Sequence, residues 1–180
     1  MSTSAALTTF EEFAELDAEE GTHLELQDGE VVVVPAPKPV HTYREIILAQ
    51  WLNAAARGKG VAAQEFPYRP TANLQYWQAD VAYLPNEDLQ AMRSEDYIVY
   101  APPLIVEVLS PSNRPAKLER QRLAAFSGGT REFWVVDPKN RAIEVFVVGK
   151  PSRVYGLGEE IPVTVLAGVR FPVRELFREN

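Results

Sequence analysis

Glu107 is the residue of the 180-residue chain whose setting most demands an explanation. It sits inside Leu104-Ile105-Val106-Glu107-Val108-Leu109, a run otherwise wholly apolar. Such a run is the pattern of a strand buried on both faces. A carboxylate there must be neutralised by a proton, a cationic partner or a metal ion. One outcome is chemistry; the other is a buried ion pair, with Arg122 or Lys117 as partner. Asp80 is the second candidate. It lies in a predicted strand over residues 74–84, where alternation gives it the face of Gln78 and Ala82. On an edge strand it would be a solvated charge. If its strand pairs with residues 104–109, the two carboxylates come together, and a proton or divalent cation must separate them. With no cysteine and two histidines, oxygen ligands favour Mg²⁺ or Mn²⁺.

Glu25, between Leu24 and Leu26, is a third carboxylate, either part of the site or a polar position on a half-exposed hairpin. Asp28 is a turn residue. His41 follows a proline-rich stretch and opens a helix, as a helix-start polar residue or an assisting group. Arg114, Lys117, Arg120 and Arg122 oppose a single Glu119 on the next predicted helix, the clearest local basic patch. It is either a solvated face or a phosphate contact. Lys117 and Gln121 are i,i+4 neighbours on that helix. There is no Walker loop, GxGxxG, GxSxG or HExxH, which leaves nucleotide binding, serine hydrolysis and zincin chemistry without support.

The elements that must position these groups form an α+β domain. Thr9 with Glu12 predicts a capped helix to about residue 17. Residues 23–27 and 30–34 flank Asp28-Gly29, a strong hairpin signal. Residues 41–57 have helical periodicity, with Ile46, Ile47, Trp51 and Leu52 opposite Arg44, Glu45 and Asn53, ended by Gly58 and Gly60. Strands follow at 61–68, 74–84 (stopped by Pro85-Asn86) and 104–109. A helix over 113–127, with Asn113 as its cap, then leads to a hairpin of 133–136 and 143–148 across Asp137-Pro138. Strand, helix, strand is a βαβ-like unit. Trp134 is assigned to the core. One or two short strands and a turn near 173–177 complete the tail.

The length predicts a single domain over residues 1–180. Hydrophobic residues are 46% and charged residues 24%, ordinary for a globular chain. The formal charge of −7 argues against a general polyanion binder, so a nucleic-acid role needs the local basic patch or a metal. No membrane-length apolar run and no signal-like start are present, which predicts a cytoplasmic protein.

Four stretches carry a resemblance. The segment Leu24-Glu25-Leu26-Gln27-Asp28-Gly29-Glu30 through Pro37, then His41, is similar to the opening of the Uma-type putative restriction endonucleases. Ala79-Asp80-Val81 resembles that family's Pro-Asp-Val strand, and Glu107-Val108-Leu109-Ser110-Pro111-Ser112-Asn113 resembles its "EVLSPSN" signature. Arg131 to Pro138 resembles "REYWVVDP". The resemblance implies a restriction endonuclease-like fold of the PD-(D/E)XK superfamily: a central mixed sheet flanked by helices, with an N-terminal hairpin. It implies Mg²⁺-dependent (or Mn²⁺-dependent) endonuclease activity on DNA. Asp80, Glu107 and the Val108 main-chain carbonyl would hold the metal, with Glu25 and His41 assisting and Arg114, Lys117, Arg120 and Arg122 on phosphates. A homodimer would cut both strands. The family's helical lysine falls at Gln121, which can orient a water but brings no charge. Lys117 or Arg122 would then supply it. The alternative is a nuclease fold that binds nucleic acid or a protein partner without cutting.

Overall fold

A computed structural model describes residues 7–94, 96–110 and 115–178. Helix α1 (Phe10–Ala14) starts at the predicted capping box: Thr9 and Glu12 exchange side-chain and main-chain hydrogen bonds. Strands β1 (Thr22–Gln27) and β2 (Glu30–Pro35) form the hairpin. Asp28 and Gly29 both take positive φ, as a two-residue turn of this kind requires. Helix α2 (Pro39–Ala56) has proline in its first turn, where the missing N–H costs nothing. It ends at Arg57 in the left-handed region, followed by Gly58.

Strands β3 (Gly60–Tyr68) and β4 (Gln75–Pro85) come next, then a short helix α3 (Asn86–Ala91). Pro85-Asn86 ends the strand as expected, and α3, absent from the sequence reading, starts directly at Asn86. Strand β5 (Leu104–Val108), helix α4 (Pro115–Ser127) and strand β6 (Glu132–Asp137) make the βαβ unit, with β5 and β6 parallel. The proposed Asn113 cap and Arg114 lie outside the described residues. Strand β7 (Ala142–Val147) returns antiparallel to β6, after a turn in which Asp137 accepts from the main chain of Lys139 and Asn140. Strands β8 (Arg153–Tyr155), β9 (Glu160–Pro162) and β10 (Arg170–Pro172) lead into a 3-10 turn at Val173–Phe177.

The main sheet has eight strands in the order β2-β1-β4-β5-β6-β7-β8, with β3 also paired to β4. Apolar residues on its two sides form two cores. Leu48 and Leu52 of α2 pack with Val81, Val106, Trp134 and Phe171 on one face. Ala125 of α4 packs with Trp77, Ala79, Ala82, Ile105 and Phe133 on the other. Burying such side chains contributes roughly 1.5–3 kcal/mol each, and it holds α2 and α4 against opposite faces of β4 and β5. No helix among the described residues is long and apolar enough to cross a membrane.

Candidate active site

Strand β4 is shared among three neighbours. It pairs with β3 along nearly its whole length, with β1 at Gln75 and Tyr76, and with β5 from Tyr83 to Val81. The β4–β5 ladder stops at Val81 opposite Val106, and the next step of that register sets Asp80 opposite Glu107. Side chains bridge the gap there. The Val108 N–H donates to Asp80 Oδ2 at 2.6 Å, and the Asp80 N–H donates to Glu107 Oε1 at 3.4 Å. The sequence thus located both carboxylates at one opening of the sheet. Asp80 is on an interior strand, however, not an edge.

The predicted alternation fails at Asp80. Trp77 and Ala79 pack on the α4 side, and so do Ala82 and Leu84, so the phase shifts by one residue between Ala79 and Ala82. Strand β3 shifts in the same place: Ala63, Phe66 and Tyr68 share the α4-side core. Glu65, opposite Asp80 in that register, has φ +48°, and the kink turns the pair. Asp80 consequently does not share the face of Ala82; it reaches α2. His41 Nε2 lies 3.0 Å from Asp80 Oδ2 and 2.9 Å from Glu45 Oε1. Hydrogen bonding to Asp80, then to Glu45, raises the His41 pKa to about 10 against the opposing effect of burial. These three residues offer ligand atoms within 4.8 Å of one another. Glu65, which accepts from Gln78 Nε2, is raised to about 7 by burial and then by the Glu45 charge.

Glu107 faces α4, and Gln121 Nε2 donates to its Oε1 at 2.8 Å. Burial first, then the charges of Asp80 and Glu25, push the Glu107 pKa well above the carboxylate range. Neither cation proposed from sequence pairs with it. Lys117 Nζ goes to Glu25 Oε2, at 2.8 Å. Arg122 lies 4.4 Å over the Phe146 ring, a cation–π contact that holds it away. Glu25 is not a half-exposed hairpin position: it is 2% exposed. Burial pushes its pKa up, but the His23 ring, Lys117 and Gln27 together hold it below the ordinary value. Gln27 donates to Glu25 at 2.6 Å and accepts from Arg120 at 3.3 Å. Val108 is buried next to Glu107.

Two site residues escaped the sequence reading. Glu45 was placed on the polar face of α2, yet it is fully buried, while Ile46 beside it is 36% exposed. Glu65 sits in a strand of mixed polarity, so no apolar run isolated it. Both line a cavity of about 470 Å³ between the β1–β2 hairpin, α2 and β3–β4. Among the described residues, the arrangement is an opening in the sheet where four carboxylates meet fewer donors than they have oxygens.

The fold is nuclease-like. It matches the crystal structure of a putative nuclease of the DUF820 family from Anabaena variabilis with a TM-score of 0.81 at 20% identity, over 94% of this chain and 97% of that one. The chain belongs to the Uma2 family of putative restriction endonucleases, whose model matches residues 10–174. Among curated proteins nothing matches.

Proposed function

We propose that the protein is a divalent-metal-dependent endonuclease that hydrolyses phosphodiester bonds in DNA. The observation that carries this is the break in the β4–β5 ladder, where the Asp80 carboxylate accepts from the Val108 N–H and the Glu107 carboxylate accepts from the Asp80 N–H, although Asp80 extends toward α2 and Glu107 toward α4. The oxygen-rich donor set and its surplus of negative charge fit Mg²⁺ or Mn²⁺. Asp80, Glu107 and the Val108 carbonyl would hold the ion, which would acidify a water and neutralise charge building on the phosphate. Gln121 fixes the Glu107 carboxylate through its 2.8 Å hydrogen bond and fills the place of the family's lysine. Lys117, paired with Glu25 at 2.8 Å, is the group to meet a phosphate oxygen. His41 bridges Asp80 and Glu45 and orients Asp80. Arg120 and Arg122 extend phosphate contact along α4, where they position the strand without reading sequence, and Arg114, which lies outside the described residues, would join them in that role. Hydrolysis adds water across one P–O bond, and a homodimer would cut both strands.

The test is nicking of supercoiled plasmid with Mg²⁺ or Mn²⁺, beside Asp80→Asn, Glu107→Gln and Lys117→Met. The wild type should nick, and each variant should lose about 10²–10⁴-fold, the usual scale for a charge-stabilising or proton-transferring group. Gln121 favours a second reading, a fold that binds DNA without cutting, because it cannot supply the lysine's charge. If neither the wild type nor Gln121→Lys cuts plasmid, single-stranded DNA or RNA while metal still binds, that second reading replaces the first.

A further inference from the structure

The main sheet ends in two strands of opposite character. Strand β8 has three residues, and its Arg153 pairs with Glu159 at 2.8 Å. A short strand and a charge are the ordinary protection of a sheet edge against another chain. Strand β2 is six residues long and keeps its charge to one end: between Glu30 and Pro35 it reads Val31-Val32-Val33-Val34. Such a run is apolar on both faces, the pattern of a strand inside a sheet rather than at its end. Val31 packs with Leu24 against Phe10, Phe13 and Leu26, whereas Val33 is 58% exposed. The hairpin also fixes where the main chain points. The Asp28-Gly29 turn makes Gln27 and Glu30 the closing pair, and at the far end the Ala36 N–H donates to the Gly21 carbonyl. Alternation then bonds the even-numbered residues of β2 to β1 and turns the N–H and C=O groups of Val31 and Val33 outward. Among the described residues, no strand pairs with that side.

We propose that β2 pairs antiparallel with β2 of a second copy of this chain, joining the two sheets into one across a two-fold axis at Val32. Strand addition of this kind draws its affinity from main-chain hydrogen bonds. In this register Val31 faces Val33 of the second copy, and each copy gives two donors and two acceptors. A register centred on Val33 would instead set Val31 against Pro35, which has no N–H to give. Self-pairing also suits the charge. A chain of net charge −7 repels its own copies over most of its surface, while this strip is uncharged apart from Glu30. The two-fold sets Glu30 opposite Val34, so no two acids face each other. The axis runs normal to the sheet and keeps both α4 helices on one face of it, where their basic residues are presented to a single duplex. The inference deepens the homodimer of the proposed function by naming its interface.

The experiment is sedimentation velocity of the full-length protein across the micromolar range, beside Val33→Lys, Val33→Pro and Val154→Lys. The wild type should be a dimer. Val33→Lys charges the exposed side chain, and Val33→Pro removes an outward N–H that β1 does not use. Each should weaken dimerisation at least tenfold, whereas Val154→Lys on β8 should leave it unchanged. Val33→Lys should melt with the wild type at a dilution where both are monomers, which separates lost pairing from lost folding. The register has its own readout. The chain has no cysteine, so Val32→Cys should form a disulfide with its own copy across the axis, within the span such a bond bridges, while Val154→Cys stays reduced under the same mild oxidation. A monomeric wild type would overturn the proposal, as would a dimer that survives both Val33 variants or leaves Val32→Cys reduced. A monomer that nicks plasmid would overturn this interface and leave the nuclease reading standing. A dimer joined through β2 that cuts nothing would support the interface and count against that reading.

Discussion

Strands β5 and β6 carry a buried glutamate at each end of their parallel pairing, Glu132 beside Leu104 and Glu107 beside Val135. Their exposures are alike, 0% and 6%. Their surroundings are not. Glu132 accepts from Trp134 Nε1 at 2.8 Å, from the Thr164 N–H at 2.7 Å and from the Thr164 hydroxyl at 2.6 Å. Among the described residues Glu107 has one good donor, Gln121, a long contact from the Asp80 N–H, and the charges of Asp80 and Glu25 nearby. Burial by itself therefore does not separate a structural carboxylate from a functional one. The count of donors against neighbouring charges does: Glu132 ties the C-terminal segment to the sheet, whereas Glu107 is held at a cost that a bound cation would offset.

The largest effect should come from breaking the filled end. Glu132→Ala leaves the buried Trp134 indole N–H without its acceptor and releases the N–H and hydroxyl of the exposed Thr164. The expected loss is about 3–5 kcal/mol, measured by urea unfolding, with Mn²⁺ binding per folded molecule unchanged. A loss below about 1 kcal/mol would mean that donors do not decide the matter, and the contrast with Glu107 would fail.

Glu25 stands between the two extremes, a buried carboxylate with one strong partner. Lys117→Met should cost about 1–3 kcal/mol, less than a fully buried pair because Lys117 is 27% exposed. The sign follows from Glu25, whose pKa is held down in the folded protein. A depressed carboxylate stabilises above its unfolded pKa, and the benefit disappears as pH falls through its folded value. The wild type and Lys117→Met should therefore differ most near neutral pH and converge in acid. Melting curves from pH 7 down to pH 3 check it; a gap that widens in acid would refute the pairing.

What the sequence disclosed, and what it concealed, follows from the same physics. Asp28-Gly29, the Thr9 capping box and the apolar run around Glu107 are local signals, each complete within a few residues, and each is found where local chemistry required it. Glu107 stood out because five apolar neighbours surround it. Glu45 did not, because a glutamate beside Arg44 on an amphipathic helix reads as a solvated face. Only the docking of α2 across the sheet opening buries it. Glu65 and the turned Asp80 depend on a kink that two strands share, so alternation along either one gave the wrong face for Asp80. The partners of Lys117 and Arg122 are likewise set by β1 and β7, far away in the chain, and no spacing on α4 could assign them.

The smallest effect, and the one of opposite sign, belongs to the unfilled end. Glu107→Gln keeps an amide oxygen for Gln121 and removes the charge that burial, Asp80 and Glu25 disfavour. In metal-free buffer near pH 8 it should melt higher than the wild type, because burial, Asp80 and Glu25 disfavour the charged form of Glu107 in the folded protein. The sign is set by the raised pKa. A carboxyl whose folded pKa lies above its unfolded value contributes full stability only below the unfolded pKa and loses it as pH rises through the folded one. Wild-type melting should thus decline through neutral pH, and Glu107→Gln should flatten that decline. Added Mg²⁺ should reverse the ranking. At ten times its Kd a ligand stabilises the folded state by about 1.4 kcal/mol, and only the wild type can collect that at the Asp80–Glu107 opening. Thermal melting of both proteins, with and without Mg²⁺ at pH 6 and pH 8, yields the whole pattern. If Glu107→Gln instead melts lower than the wild type in metal-free buffer at both pH values, Glu107 is a filled structural carboxylate like Glu132, and the difference between the two ends of the β5–β6 pairing disappears.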